Sequence, residues 1–472
     1  MGADARGVGE RAHAAIASVK RITAAVAASS FPLGAAAHGF GALYNLPVPF
    51  WLYAWGAAVA LAASFLVIAF FATASVAAPL SRKSDDALPM LRPLGTSIAV
   101  FLLLLCIATG VFGNRDPYRN FSMTFFWIWF VLGFLYLASL TGDFFASINP
   151  WRWLAQPVAR VRFRYPQSLG DWPALAIYLG FVAFELFNHG KPSTLGAMLL
   201  GYSILNLAGA ALVGANAWFT HCELFSVLFR LAGKIAPHSQ AMVRERPASI
   251  ATLTFALAML STTAFDGLRA TQWWVDLFWR DPTGIVTALA GARPILEYPS
   301  LRSWYIGWES FWLIASPFLY LGAYFAAIAL AKLLTRSARP LHELVLDFGY
   351  TLLPIALVYN VTHYATLILT QGLKLVSLLS DPFGFGWDLF GTAHALRAPI
   401  LPPMGQVWHT QVALILAGHI ASVYCAHLVA LRIFPSRRAA LVSQLPMLVL
   451  MIAFTIAGLW ILAQPLTELK MR

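Results

Sequence analysis

The sequence predicts an all-α, polytopic membrane bundle of about ten transmembrane helices behind an N-terminal signal sequence or signal anchor. Three observations carry that expectation. Of 472 residues, 59% are hydrophobic and only 11% charged, against about 25% charged in a soluble domain, so the chain cannot coat a water-facing surface. Apolar runs of roughly 20 residues, enough to cross a bilayer at 1.5 Å rise each, recur along the chain. The longest polar stretches, 141–172, 215–249, 266–306 and 374–407, are too short to be domains.

Residues 1–21 are polar and end in Lys20-Arg21, and the apolar stretch Ile22–Ala37 is broken by Ser29, Ser30 and Pro32. A basic start, a short apolar core and the small residues Ala35-Ala36-Ala37 make a signal-peptide pattern. The expected organisation is therefore 1–37 as signal peptide or anchor and 38–472 as one transmembrane domain. Cleavage after Ala37 would leave His38 as the first residue.

Ten spans follow, near 50–72, 96–113, 123–141, 173–188, 194–214, 250–265, 307–333, 348–371, 408–431 and 443–463. With the mature N-terminus outside, the inner loops and the adjoining Lys332 and Arg432 hold seventeen Lys and Arg, against eleven for the outer loops and C-terminus. This agrees with the positive-inside rule. The expected location is a bacterial inner (plasma) membrane, with both termini of the mature chain outside.

Several connecting elements have expected roles. Trp51, Trp55, Trp151, Trp153, Trp304, Trp308 and Trp408 sit at span ends, where aromatic belts form. The amphipathic segment Phe219–Ile235 reads as a helix lying along the inner membrane surface, and Ile285–Ala292 as a short helix on the other side. Asp381–Gly391 mixes Gly with aromatics and reads as an interfacial loop or a lid. Ala210 and Gly214 form a small-xxx-small packing pair.

The net charge of +12 is spread over loops between apolar runs, so the partner it implies is the lipid bilayer and no nucleic acid. Cys106, Cys222 and Cys425 form no CxxC pair and no disulfide, iron–sulfur or zinc pattern. Walker, HExxH, GxSxG and dinucleotide-loop motifs do not occur. That removes the basis for ATP hydrolysis by this chain alone, zinc proteolysis or serine hydrolysis.

Ionisable groups inside spans are expensive and mark function by default. Span 4 carries Glu185 and His189, an i, i+4 pair suited to a metal ion or a proton. Span 7 presents Glu309, Leu313, Ser316, Tyr320 and Tyr324 as a stripe beside Pro317, which is expected to kink or break the helix. Span 8 carries Tyr359, Asn360, Thr362, His363, Thr366, Thr370 and Gln371 above Pro354. Span 9 carries His409, His419 and His427, of which the first and last lie about 27 Å apart by helical rise. With Asp266 and His394, the titratable groups gather in the outer half.

Two functions fit this pattern. The first is a secondary transporter or ion/metal-handling permease for a small molecule or ion, with its site between spans 4, 7, 8 and 9. There Glu185, His189, Glu309, Tyr320, Asn360, His363 and Thr366 would bind the substrate or coupling ion. The second is a membrane subunit of a redox system that docks a periplasmic protein partner. In it His363 and His419 would hold haem b as axial imidazoles, or His38, His189, His394 and His409 would hold copper. An N-terminal His38 offers its amine and ring nitrogen as a Cu(II) chelate, a feature resembling copper enzymes whose mature chain begins with His.

Overall fold

A computed structural model describes residues 48–72, 91–188, 190–395, 398–400 and 402–464. The expected signal segment, His38 and His189 lie outside these residues.

The described residues are helical, with a single isolated β-bridge between Val161 and Val213. The helices that build the bundle are α1 (Phe50–Phe71), α2 (Leu91–Phe112), α3 (Phe121–Thr141), α4 (Trp172–Phe187), α5 (Pro192–Val213), α6 (Leu224–Gly233), α7 (Ile250–Arg269), α8 (Gln272–Trp279), α9 (Arg302–Thr335), α10 (Leu341–Thr370), α11 (Met404–Ile433) and α12 (Arg437–Ala463). Nine of these are long and apolar enough to cross a membrane: α1, α2, α3, α5, α7, α9, α10, α11 and α12. The remaining expected span, α4, has 16 residues, about 24 Å at helical rise. It still reaches between the two ends of the bundle. Asp171 at its start meets His221 and Arg230, and Phe187 at its finish lies under the Arg269 guanidinium, 5.3 Å from the ring centroid.

The two ends differ in charge. One, the basic end, gathers the loops around 142–171, 214–249, 336–340 and 434–436, and the other holds the loops around 113–120, 270–301 and 371–403. The core is organised around α7, sixteen of whose twenty residues are buried. It packs against α4, α9, α10 and α12. On one side α2, α3 and α5 form a group; on the other, α1, α11 and α12 pack together. The α2–α5 contact is a backbone approach at Gly110 and Gly196, where a Cβ on Gly110 would stand 2.9 Å from the Gly196 Cα. Small residues serve this purpose in membranes, where helices associate by close packing. The expected pair Ala210/Gly214 works differently: Gly214 ends α5 with φ 86°, a conformation that favours glycine.

Proline acts more gently than the sequence suggests. α9 runs unbroken through Pro317 for 34 residues. Proline has no N–H for the Leu313 carbonyl four residues back, and the Ser316 hydroxyl donates to that carbonyl instead, at 3.0 Å. In α10, a 3₁₀ turn at Tyr350–Leu352 precedes Pro354. Tyr324 donates to the Val345 carbonyl at 2.7 Å, and Ser422 donates to that of Thr351. Within α3, residues Phe125–Gly133 form a π-helix, which no sequence signal announced.

The segment expected to lie on the membrane surface is instead part of the core. Eight of the ten residues of α6 are buried. Phe225 and Phe229 interlock with Phe126, Phe130, Phe145, Trp151 and Tyr202. Its amphipathic pattern describes a helix with one face in the protein and one in a polar network, because Arg230 donates to the Thr220 carbonyl and Asp171. Trp151 and Trp408 are likewise buried rather than belt residues, whereas Trp51, Trp55, Trp153 and Trp304 are exposed.

Candidate functional site

The polar groups of α7 follow from its position. A helix surrounded by protein can carry hydroxyls and charges where a lipid-facing one cannot. Its last turns bring Thr262, Asp266 and Arg269 to the end opposite the basic loops. Asp266 receives two hydrogen bonds from α10, His363 Nε2 and the Tyr364 hydroxyl, both at 2.9 Å from Oδ2. Arg269 clamps Glu309 of α9 through Nε–Oε1 at 3.2 Å and Nη2–Oε2 at 3.3 Å, and its Nη1 stands 3.9 Å from Asp266 Oδ1. Gly267 lets α7 approach Ile461 of α12, where an added Cβ would stand 2.8 Å from the isoleucine side chain, with the His363 ring in ordinary contact at 3.5 Å.

Glu185 of α4 completes the cluster. It lies close enough to Asp266 and Tyr364 to interact with both electrostatically, yet no hydrogen bond or ion pair holds it among the described residues. One turn or two below, Tyr178 shares a 2.9 Å hydrogen bond with Thr262. The centre therefore holds three carboxylates, one guanidinium, one imidazole and tyrosine hydroxyls, supplied by four helices. Chemically it can take up and release protons.

Of the residues expected from sequence, Glu185, Glu309 and His363 meet here, joined by Asp266. Arg269 and Tyr364 were not singled out beforehand, though a basic residue at the end of a span containing Asp266 was a usable signal. Other candidates stand apart from these hydrogen bonds. Tyr320 stacks on Phe454, ring centroids 4.7 Å apart. Asn360 accepts from Tyr136 of α3 at 3.1 Å. Thr366 lends its carbonyl to the Thr370 hydroxyl at 2.9 Å. Thr362 likewise turns its hydroxyl back to the Tyr359 carbonyl, so much of the α10 polar stripe is satisfied within its own helix.

His419 is buried, with Nδ1 2.9 Å from the Ile415 carbonyl and Nε2 without a partner. His363, by contrast, has Nε2 engaged by Asp266. His394 is exposed, and the His409 ring turns Nδ1 to the Gly405 carbonyl at 2.6 Å, beside Tyr53. Among the described residues no group of three or more His, Cys, Asp or Glu has an arrangement that could hold a metal ion.

The basic end has its own polar network, which the scarcity of charge within the spans concealed. Asp171 accepts from Thr252 at 2.7 Å and meets His221 Nδ1 at 2.8 Å. Asp347 pairs with Arg339 at 3.0 Å and Arg246 at 3.4 Å. Glu223 caps α6, accepting from the amides of Phe225 and Ser226 at 3.0 and 2.7 Å, from Asn149, and from the Tyr202 hydroxyl. Burial pushes its carboxyl above the usual carboxylate range, against those hydrogen bonds. These contacts close the end of the bundle rather than open it.

The loop Asp381–Gly391 is held in place. Asp381 accepts from the amides of Phe385 and Gly386 at 2.9 and 2.8 Å, and the Asn114 amide donates to the Phe383 carbonyl at 2.7 Å. Phe385, Leu389 and Phe390 are exposed at its tip.

The fold and this cluster define a multi-pass α-helical protein of membrane-spanning character. Comparison with known proteins finds no family model, no characterised relative and no solved structure that matches the chain.

Proposed function

We propose that the protein is a secondary transporter or ion-handling permease whose coupling site is the cluster of Glu185, Asp266, Arg269, Glu309 and His363, set in the outer half of the membrane. The observation that carries the reading is Glu185: a carboxylate on a membrane helix, without a hydrogen-bond partner among the described residues, beside an Asp–His–Tyr network. A structural carboxylate in that setting is expected to be paired, because an unpaired ion there is costly. A proton- or cation-carrying one must be free to change state.

The roles divide by pairing. Arg269 and Glu309 hold the frame, Asp266 and His363 form the proton-exchanging pair, and Glu185 receives the proton or cation from the outer side. Proteoliposomes carrying an imposed proton gradient, offered a panel of inorganic cations and small organic solutes, test the assignment. Gradient-dependent uptake of one of them, lost in Glu185→Gln and Asp266→Asn variants that remain folded, is the expected result. Unchanged uptake in both variants would remove the site from the mechanism.

A further inference from the structure

The segment between α3 and α4 contains the run Arg160-Val161-Arg162-Phe163-Arg164 at the basic end. The Arg160 amide donates to the Ala210 carbonyl at 3.3 Å, and those of Arg162 and Phe163 donate to the Leu212 carbonyl at 3.0 and 2.9 Å. Val161 forms the isolated antiparallel bridge to Val213. Pinned this way to the last turn of α5, the chain bends at Arg162 and Phe163, whose amides share the Leu212 carbonyl. Arg160, Arg162 and Arg164 are interleaved there with Val161 and Phe163.

All five side chains are exposed, with Val161 at 76% and Phe163 at 64%. The three guanidinium groups make no hydrogen bond or ion pair among the described residues. Several other cations at this end have carboxylate partners: Arg230 meets Asp171, Lys234 meets Glu245, and Arg246 and Arg339 meet Asp347. Three positive charges without a counter-ion among the described residues thus lie beside exposed apolar side chains, next to the end of a helix long enough to cross a membrane.

We propose that Arg160, Arg162 and Arg164 form a binding site for anionic phospholipid headgroups, with Val161 and Phe163 seated in the acyl boundary of the same leaflet. The guanidinium fork matches phosphate oxygens bidentately, and the interleaved sequence sets charged and apolar side chains side by side. The backbone bonds to α5 fix the stretch of chain that carries the three forks. Near an anionic leaflet each basic residue contributes about fivefold in affinity, so three together contribute roughly a hundredfold. This site is independent of the transport reading and lies at the other end of the bundle.

The test uses the full-length protein in mixed micelles of detergent and phosphatidylcholine, titrated with phosphatidylglycerol, with bound lipid counted by native mass spectrometry. The wild type is expected to retain phosphatidylglycerol in preference to phosphatidylcholine, less so at high salt. Arg160→Gln/Arg162→Gln/Arg164→Gln together should lose that preference by up to about a hundredfold, and Arg162→Gln alone by about fivefold. The triple lysine variant should keep most of it. A control removing equal charge at the other end, Arg115→Gln/Arg119→Gln/Arg293→Gln, should leave it intact. The proposal fails if the glutamine variants keep the wild-type preference, or if the control lowers it equally. It also fails if excess inorganic phosphate abolishes the preference at constant ionic strength, since the site would then take a free anion.

Discussion

Removing the Glu309 carboxylate should be among the most damaging single changes in the bundle. Glu309 is 2% exposed and receives both arms of the Arg269 fork at 3.2 and 3.3 Å. Two unit charges about 4 Å apart attract by about 4 kcal/mol at an effective dielectric constant near 20. Glu309→Gln would leave the guanidinium with only the longer 3.9 Å approach to Asp266. Breaking a buried pair from one side costs about 3–5 kcal/mol, because the remaining charge is left without compensation. The double variant Arg269→Gln/Glu309→Gln removes both charges and should cost less than the sum of the single changes, by about 1–3 kcal/mol. Equilibrium unfolding of the detergent-solubilised protein, followed by tryptophan fluorescence, measures all three. A Glu309→Gln cost below about 1 kcal/mol, the range of a solvent-exposed pair, would refute the reasoning, as would strict additivity.

Gly267→Ala should cost about 1–3 kcal/mol by overpacking, since its Cβ would stand 2.8 Å from Ile461; the same unfolding assay reads it. Cys106, Cys222 and Cys425 are all buried, and burial pushes the Cys222 thiol up to about 11. Maleimide at pH 8 should therefore leave the native protein unlabelled and modify all three after denaturation. Asp281, in the loop after α8, is opposed by burial, but hydrogen bonds from Thr287 and Thr283 hold its carboxyl below the ordinary range. Its contribution is thus fully present above that range and is lost as the pH falls through the lowered value. The protection of the Ile285–Ala290 amides, with intrinsic exchange divided out, should fall on acidification in the wild type, and Asp281→Asn, which suits the same positive φ of 45°, should abolish that fall.

Much of the architecture was legible because bilayer length is a strong constraint. Nine of the ten expected spans coincide with long apolar helices, and α4 escapes that class only by its 16 residues. The failures share a cause: one-dimensional patterns do not say what lies opposite a face. The amphipathic stripe of α6 read as a surface helix, yet its partners are the Phe side chains of α3 and the loop after it. The hydroxyl stripe of α10 read as a substrate face, but Thr362 and Thr370 are closed onto their own helix. Pro317 read as a kink or a break; the helix runs through it unbroken, and Ser316 donates to the carbonyl that proline leaves free. In the cluster, Glu185, Asp266, Glu309 and His363 were visible as costly residues at similar depth. Arg269, which links two of them, was counted only as loop charge.

Proton movement through the cluster is the most direct test of the account. Wild-type protein and the Glu185→Gln variant would be reconstituted with an entrapped pH-sensitive dye, and internal acidification recorded under an imposed membrane potential with and without a transported solute. The account predicts solute-dependent proton entry with the wild type and none with Glu185→Gln, both proteins unfolding at the same temperature. Equal proton entry through the two, or none through a wild type that still moves its solute down a gradient, would contradict it.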